Sequence, residues 1–134
     1  MDRRSFLKSM FAAVFLPFLP KGLSVEKEQH EVWLQSSLVA GFKYYDGEKV
    51  WYSLKVGELL ALSREPNNPH DNQAVEVLWR GHKLGYIPRY ENSTAANLLQ
   101  NNAPLLARIS NLDEPRNFWK QVELDIFLLV DSSK

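Results

Sequence analysis

Hydrophobic and polar positions alternate along this chain in short runs, a pattern that predicts β-strands. Residues 74–79 read Ala-Val-Glu-Val-Leu-Trp and alternate as a half-buried strand does. A turn at residues 80–82 and a second alternating run at 83–87, ended by Pro88, predict a hairpin. Runs rich in apolar and aromatic residues predict further strands at 37–45, 58–65, 105–112 and 118–130.

The remaining segments read as one helix and several turns. A polar residue at 92–94 can cap a helix that extends to about residue 102, with apolar residues on one face. Residues 46–47 and 113–117 are rich in turn formers, and residues 50–55 are expected to form a short strand or an irregular segment. The whole pattern predicts a mainly β domain, folded as a small antiparallel barrel or a curled sheet.

Composition supports a single globular domain. The chain has 134 residues, of which 45% are hydrophobic and 24% are charged, so it can bury a modest core. It has no cysteine, which excludes disulfides and thiolate metal ligands. Its three histidines show no helical i,i+4 pairing, so we expect neither a metal site nor another cofactor.

The first 24 residues form a separate segment with the features of an export signal. An apolar run of eleven residues at 10–20 is too short for a bilayer span of about 20 residues and has the size of a signal-peptide core. Gly22 and Ser24 favour cleavage before Val25. The basic start resembles the twin-arginine export signal, with Asp2 as its one departure. The residues that carry this resemblance are Arg3, Arg4, Phe6, Leu7 and Lys8.

These features predict a bacterial protein with a signal peptide at 1–24, a lead-in segment at 25–36 and a folded domain at 37–131. The twin-arginine export machinery would then be a partner, and the mature protein would be periplasmic or associated with the cell envelope. The alternative is an amphipathic tail that stays attached, as a loose membrane anchor or on a cytoplasmic protein.

Charge is distributed unevenly between these parts. Residues 1–24 hold four basic residues and one acidic residue, a net charge of +3, and residues 25–134 hold twelve basic and fifteen acidic residues, a net charge of −3. Proteins that grip nucleic acid mainly through its phosphates are usually basic overall. Any nucleic-acid binding must therefore depend on a small local site.

Enzyme motifs are missing from the sequence. The six glycines form no phosphate-binding loop, and no Gly-x-Ser-x-Gly elbow is present. His70 and Asp71 are adjacent, so in extended chain they point to opposite sides. Glu65 and Asp71 are candidate acid and base, but the sequence gives no sign that they converge. We therefore expect a binding protein and not an enzyme.

Two segments are candidates for that binding. Tyr44 and Tyr45 end a predicted strand at a turn, so one ring is expected to face outward, where stacking on a base contributes about 1–3 kcal/mol; the alternative is core or cross-strand packing. The segment 64–73 reads Arg-Glu-Pro-Asn-Asn-Pro-His-Asp-Asn-Gln. Its asparagines and prolines favour a turn, which alone would make it an ordinary loop.

The order and spacing of three motifs resemble the HIRAN domain family. They are Gly-Phe-Lys-Tyr-Tyr-Asp-Gly at 41–47, Leu-Ser-Arg-Glu-Pro-Asn-Asn-Pro-His-Asp-Asn-Gln-Ala-Val at 62–75, and Lys-Leu-Gly-Tyr-Ile-Pro-Arg at 83–89. The resemblance covers residues 38–130. It implies an OB-like antiparallel barrel of about six strands with one or two helices, and a pocket for the 3′ end of single-stranded DNA.

The resemblance also implies roles for individual residues. Tyr44 would stack on the terminal base, His70 would take the place of a second aromatic, and Asp71 would accept a hydrogen bond from the 3′-hydroxyl. Asn67 and Asn68 would shape the loop or touch the base. Three residues would line the phosphate path, and a fourth position would stack on the next base: Lys43, Tyr86 and Arg89, then Phe118 or Trp119.

Three of these positions depart from the family pattern. His70 stands for a tyrosine, Lys43 for an arginine, which loses the bidentate phosphate contact, and Tyr86 for a histidine. Two functions therefore stay open. One is a module that binds the 3′ end of single-stranded DNA, and the other is an exported envelope protein that uses the same barrel for a peptide, a glycan or a partner protein.

Overall fold

The computed structural model describes residues 29–116 and 119–131, and in this part of the chain six antiparallel strands form one sheet. The strands are β1 (Gln29–Leu38), β2 (Leu59–Glu65), β3 (Ala74–Trp79), β4 (His82–Tyr86), β5 (Leu105–Asp113) and β6 (Gln121–Asp131). Their order in the sheet is β1-β6-β5-β2-β3-β4. The helices are α1 (Gly47–Val50) and α2 (Ser93–Gln100), with 3-10 turns at Phe42–Tyr44, Trp51–Ser53 and Arg89–Glu91.

The two ends of the sheet meet. The Ala40 amide donates to the Tyr86 carbonyl at 2.7 Å, and the Tyr86 amide donates to the Ala40 carbonyl at 3.0 Å. These bonds join the chain just after β1 to the end of β4 and curl the sheet toward closure. The prediction of a mainly β, OB-like barrel with about six strands and one or two helices is confirmed, and the described residues form six strands and two short helices.

Gly85 allows the backbones of β4 and of the segment after β1 to come into close contact. Its φ is 151°, and a Cβ at this position would lie 2.2 Å from the Ala40 carbonyl oxygen. The two backbones therefore approach each other at a point where no side chain fits.

The core lies between the strands and under α2. Its fully buried side chains come from the inward face of alternating strand positions, as the period-two pattern predicts. The largest are Val75, Val77, Leu84, Ile87, Ile109, Val122, Leu124 and Ile126. Ala95 and Ala96 bury the inner face of α2. None of the helices in the described part of the chain is long and apolar enough to cross a bilayer.

The predicted hairpin and the predicted helix are confirmed, and four strands differ from prediction only at their ends. β3 and β4 pair across a two-residue turn at Arg80 and Gly81, which both have positive φ, the geometry that two-residue hairpins favour. The predicted helix is α2. The four are β2, β4, β5 and β6, which begin or end one to three residues from the expected positions.

The prediction of a strand at 37–45 is wrong at both ends. β1 begins at Gln29 and pairs with β6 from Gln29 to Leu38, so the predicted lead-in is strand from residue 29. Most of β1 is exposed, and for that reason it lacks a clear apolar alternation. The chain then leaves the strand at Gly41, whose φ is 76°, and Phe42 turns inward against Trp51 at 5.8 Å between ring centroids.

Candidate functional site

A pocket of about 270 Å³ lies beside the place where β1 and β4 meet. Its walls come from the segment after β1, the loop between β2 and β3 with the first residue of β3, the end of β4 and the turn that follows. The lining residues are Ala40, Tyr45, Asn68, His70, Asp71, Ala74, Tyr86, Ile87 and Arg89. Five of the nine predicted binding residues are therefore brought together here: Asn68, His70, Asp71, Tyr86 and Arg89.

The loop at 66–73 keeps its shape through its own side chains. Asn68 donates from Nδ2 to Glu65 Oε1 at 3.0 Å, and its Oδ1 accepts the His70 amide at 2.8 Å. Arg64 donates to the Asn72 carbonyl at 3.1 Å. The asparagine that lines the pocket thus also braces the loop, as the sequence predicted for this turn-rich segment.

Asp71 presents an ionised carboxylate to the pocket. Its Oδ1 accepts the Gln73 amide at 2.9 Å, and its Oδ2 accepts Asn92 Nδ2 at 2.8 Å. The Gln73 amide lowers the pKa of Asp71 most; burial raises it, and Asn92 and the charge of Arg89 lower it further. The net pKa lies below the ordinary value, so Asp71 is an acceptor near neutral pH.

Next to Asp71 lies a hydrogen-bonded chain that the sequence did not predict. Lys83 Nζ donates to the Tyr86 hydroxyl at 2.6 Å, and that hydroxyl donates to Glu65 Oε1 at 2.7 Å. Burial raises the pKa of Glu65, but the hydrogen bonds from Asn68 and Tyr86 and the charge of Lys83 bring it below its ordinary value. Burial and the bond to Glu65 raise the pKa of Tyr86, more than Lys83 lowers it.

The hydrogen bonds from Lys83 to Tyr86 and from Tyr86 to Glu65 fix the orientation of the aromatic wall. Tyr45 and Tyr86 lie edge to face with centroids 5.8 Å apart, and Lys83 Nζ lies 4.5 Å from the Tyr45 centroid and 4.3 Å from the Tyr86 centroid. Tyr86 is predicted to line a phosphate path, but its hydroxyl already accepts a hydrogen bond from Lys83 and donates one to Glu65. The sequence of β4 does not predict the hydrogen bonds of Lys83 and Tyr86, because Glu65, which accepts from Tyr86, belongs to β2.

Tyr45, and not Tyr44, lines the pocket. Tyr44 is 72% exposed and lies outside the lining, and Lys43 Nζ sits 5.1 Å from its ring centroid. Lys43 also lies 3.6 Å from the ring centroid of Trp119. The sequence predicted that one of the two neighbouring tyrosines would face outward, with core or cross-strand packing of both as the alternative. Because residues 42–44 form a 3-10 turn, no strand periodicity indicates which ring is exposed.

The other predicted residues lie elsewhere. Asn67 is exposed and is not among the lining residues. Phe118 and the signal residues Arg3, Arg4, Phe6, Leu7 and Lys8 lie outside the described residues. Within residues 29–116 and 119–131, no three His, Asp or Glu side chains are grouped so that they could hold a metal ion.

Comparisons with known proteins identify relatives of this barrel. The family model described as "HIRAN domain" matches residues 33–131. Helicase-like transcription factor of Mus musculus is 36% identical over 64 residues, and that of Oryctolagus cuniculus is 34% identical over 64 residues. In both cases the match covers 47% of this chain and 6% of the relative, so it spans only a small part of those proteins.

Two solved structures share the fold. A protein from Lactobacillus plantarum superposes with a TM-score of 0.67 at 32% identity, covering 76% of this chain and 98% of that one. The HIRAN domain of human HLTF superposes with a TM-score of 0.57 at 23% identity, covering 76% of this chain and 81% of that one. The second likeness concerns the fold alone.

Proposed function

The chain belongs to the HIRAN domain family, and from that premise we propose that it is a nucleic-acid-binding module that recognises the 3′ end of a single strand. The observation that carries the proposal is the placement of Asp71, an ionised carboxylate, in the wall of a pocket that also has aromatic sides.

The chemistry of an end fits this arrangement. A terminal 3′-hydroxyl is a hydrogen-bond donor, whereas an internal nucleotide carries a phosphate at the same place. A carboxylate accepts from the hydroxyl and repels the phosphate. The charge of Asp71 therefore favours a free end over an internal nucleotide.

The walls of the pocket suit a nucleotide base, although the pocket is small. Small-molecule sites usually enclose about 300–1,000 Å³, and this pocket of about 270 Å³ lies just below that range. Tyr45, His70 and Tyr86 supply ring surfaces for a base. Arg89, which lines the pocket, supplies a positive charge for the phosphate that leads into it.

A comparison of two oligonucleotides tests the proposal. The full chain is titrated at low salt with single strands of one sequence that end in a 3′-hydroxyl or a 3′-phosphate. We expect the hydroxyl strand to bind, the phosphate strand to bind at least about tenfold more weakly, and Asp71→Ala to abolish the difference. Asp113→Ala removes an exposed carboxylate that does not line the pocket and serves as the matched control.

The same titration identifies the stacking tyrosine. Loss of one stacked base costs about 1–3 kcal/mol, which is about 5- to 150-fold in the dissociation constant. We expect Tyr45→Ala to show this loss, and Tyr44→Ala to show it as well if the exposed ring closes over the base. Failure of both oligonucleotides to bind would contradict the proposal and favour a peptide, glycan or protein as the ligand.

We further propose that residues 1–24 are a twin-arginine signal that directs the folded domain out of the cytoplasm. Its support is the Arg-Arg-Ser-Phe-Leu-Lys sequence at 3–8, followed by a short apolar run and small residues at 22 and 24. An exported end-binding domain would meet nucleic acid from outside the cell and not the ends of the chromosome.

A further inference from the structure

The carboxylate of Asp71 is held by two residues that do not line the pocket. Gln73 and Asn92 donate one hydrogen bond each, to different oxygens of the carboxylate. Asp71 lines the pocket, whereas Gln73 and Asn92 are not among its lining residues. The two donors therefore hold Asp71 without themselves forming the pocket wall.

The carboxylate keeps acceptor capacity on both oxygens. An ionised carboxylate has two oxygens with about four lone-pair sites in all. The bonds from Gln73 and Asn92 use one site on each oxygen, which leaves acceptor capacity on each. Two donors from one ligand can thus be accepted side by side, one on each oxygen, as in the bidentate recognition of carboxylates.

The orientation of the carboxylate is set before any ligand arrives. Asn92 is only 2% exposed, and its backbone carbonyl accepts the Ala96 backbone amide at 2.9 Å in the first turn of α2. A buried amide in this position cannot exchange its partner for water. Rotation of the Asp71 carboxylate would break its bonds to both donors, and an unpaired buried amide is costly.

Ligands that present two hydroxyls on neighbouring carbon atoms match this acceptor pair. Ribose has such a pair at C2′ and C3′ when it is the last nucleotide of a strand, whereas deoxyribose has only the 3′-hydroxyl. Acidic side chains recognise ribose hydroxyls in other nucleotide sites, and the 2′-hydroxyl is the group by which proteins distinguish RNA from DNA.

We propose that this pocket binds a vicinal diol, and that its ligand is the 2′,3′-diol of a 3′-terminal ribonucleotide. Each oxygen of Asp71 accepts one of the two hydroxyls, and Asn92 is the positioning residue that keeps both oxygens available. The inference rests on the proposed end-binding function and adds the identity of the terminal sugar.

Strands that differ only in their last sugar test the inference. The full chain is titrated with DNA oligonucleotides of one sequence whose terminal nucleotide carries both hydroxyls, only the 3′-hydroxyl, only the 2′-hydroxyl, or a 3′-phosphate. A second hydrogen bond to a charged group is expected to tighten binding about tenfold, so the diol strand should bind about ten times more tightly than either strand with a single hydroxyl.

The outcomes separate the two proposals. Equal or tighter binding of the strand with only a 3′-hydroxyl overturns the diol inference and leaves the end-binding function in place. Failure of all four strands to bind overturns the end-binding function. Tighter binding of a cis-diol sugar such as methyl mannoside than of the diol strand overturns the assignment to a nucleotide.

Variants test the role of each side chain. Asp71→Asn replaces one acceptor oxygen with a donor amide, and Asn92→Ala removes the hydrogen bond that holds Oδ2 of Asp71. Both variants should bring the ratio of diol to single-hydroxyl affinity close to one. Asn97→Ala alters an exposed asparagine of α2 and should keep the tenfold ratio. An unchanged ratio in folded Asp71→Asn protein overturns the inference, even where Asn92→Ala fails to fold.

Discussion

Two carboxylates, Asp71 in the pocket wall and Glu65 bonded to the wall residues Asn68 and Tyr86, accept hydrogen bonds mainly from neutral donors. Asp71 is bonded by a backbone amide and an asparagine, and Glu65 by an asparagine and a tyrosine hydroxyl, with Lys83 nearby at 3.6 Å. Neutral donors hold a carboxylate ionised without cancelling its charge. Lys83 lies beside Glu65 and Arg89 lines the pocket with Asp71, so the site holds charges of both signs. The ionised Asp71 carboxylate in the wall accepts hydrogen bonds from donors such as hydroxyls.

Removing the Tyr86 hydroxyl should weaken the fold while leaving the aromatic wall in place. In Tyr86→Phe, Glu65 loses a donor and Lys83 loses an acceptor, although the two ions remain close enough to attract each other. We expect the free energy of unfolding to fall by about 1 kcal/mol, as measured by urea denaturation. Tyr52→Phe removes the hydroxyl of a tyrosine that is 85% exposed and is the matched control, and equal midpoints for both variants would contradict the prediction.

The lowered pKa of Asp71 should appear in the dependence of stability on pH. The folded pKa lies below the unfolded value of about 3.9, so ionised Asp71 stabilises the fold above about pH 4. This contribution is lost as the pH falls through the folded pKa. The stability difference between the natural chain and Asp71→Asn should therefore shrink as the pH falls below about 4. Urea titrations across that range measure it, and a difference that grows on acidification would contradict the assignment.

At the scale of elements, the pocket depends on the contact between the end of β1 and β4. Ala40 and Tyr86 both bond to each other and line the pocket. Displacing β4 would thus move one wall and break two backbone hydrogen bonds. The site is a property of the meeting of these elements and not of the loop at 66–73 alone.

A methyl group at Gly85 should separate these elements. Gly85→Ala places a Cβ against the Ala40 carbonyl oxygen at a backbone conformation that alanine rarely adopts, and we expect a loss of at least about 2 kcal/mol in unfolding free energy. Hydrogen exchange at the Ala40 and Tyr86 amides should accelerate. Gly57→Ala is the control, because Gly57 has a φ of 96° but nothing within 4 Å of its Cβ position. An equal cost in both variants would show that strain and not the clash decides.

The elements that sequence predicts best are those whose pattern reflects their own burial. β3 and β4 alternate because one face is in the core, and the hairpin turn is short. The first strand was misplaced because most of β1 faces solvent, and because the aromatic run at 42–45 leaves the strand at Gly41. The loop at 64–73 was recognised by its motif, but the bonds from Asn92 to Asp71 and from Tyr86 to Glu65 join residues 21 positions apart. Local pattern carries no trace of such contacts.

At the scale of the whole molecule, the charge asymmetry fits a removable basic leader on an acidic domain. We expect a protein tagged at its C-terminus and expressed in a bacterium to be found outside the cytoplasm and shortened by cleavage before Val25. Arg3→Lys with Arg4→Lys should keep it full-length and cytoplasmic, while Lys21→Arg, which preserves charge away from the motif, should leave export unchanged. Fractionation and mass spectrometry measure both, and cytoplasmic full-length protein in every variant would contradict the prediction.

Because the contact between Ala40 and Tyr86 lies beside the pocket, a bound ligand would hold the two ends of the sheet together. Its contacts would span segments that the chain connects only through forty intervening residues or more, from Ala40 to Tyr86 and Arg89. A ligand that binds only the folded state adds about 2.7 kcal/mol of stability at a concentration of 100 times its dissociation constant. Melting temperature is therefore a direct screen for the occupant, and a set of ribonucleotides, deoxyribonucleotides, glycans and peptides can be ranked by the shift each one causes.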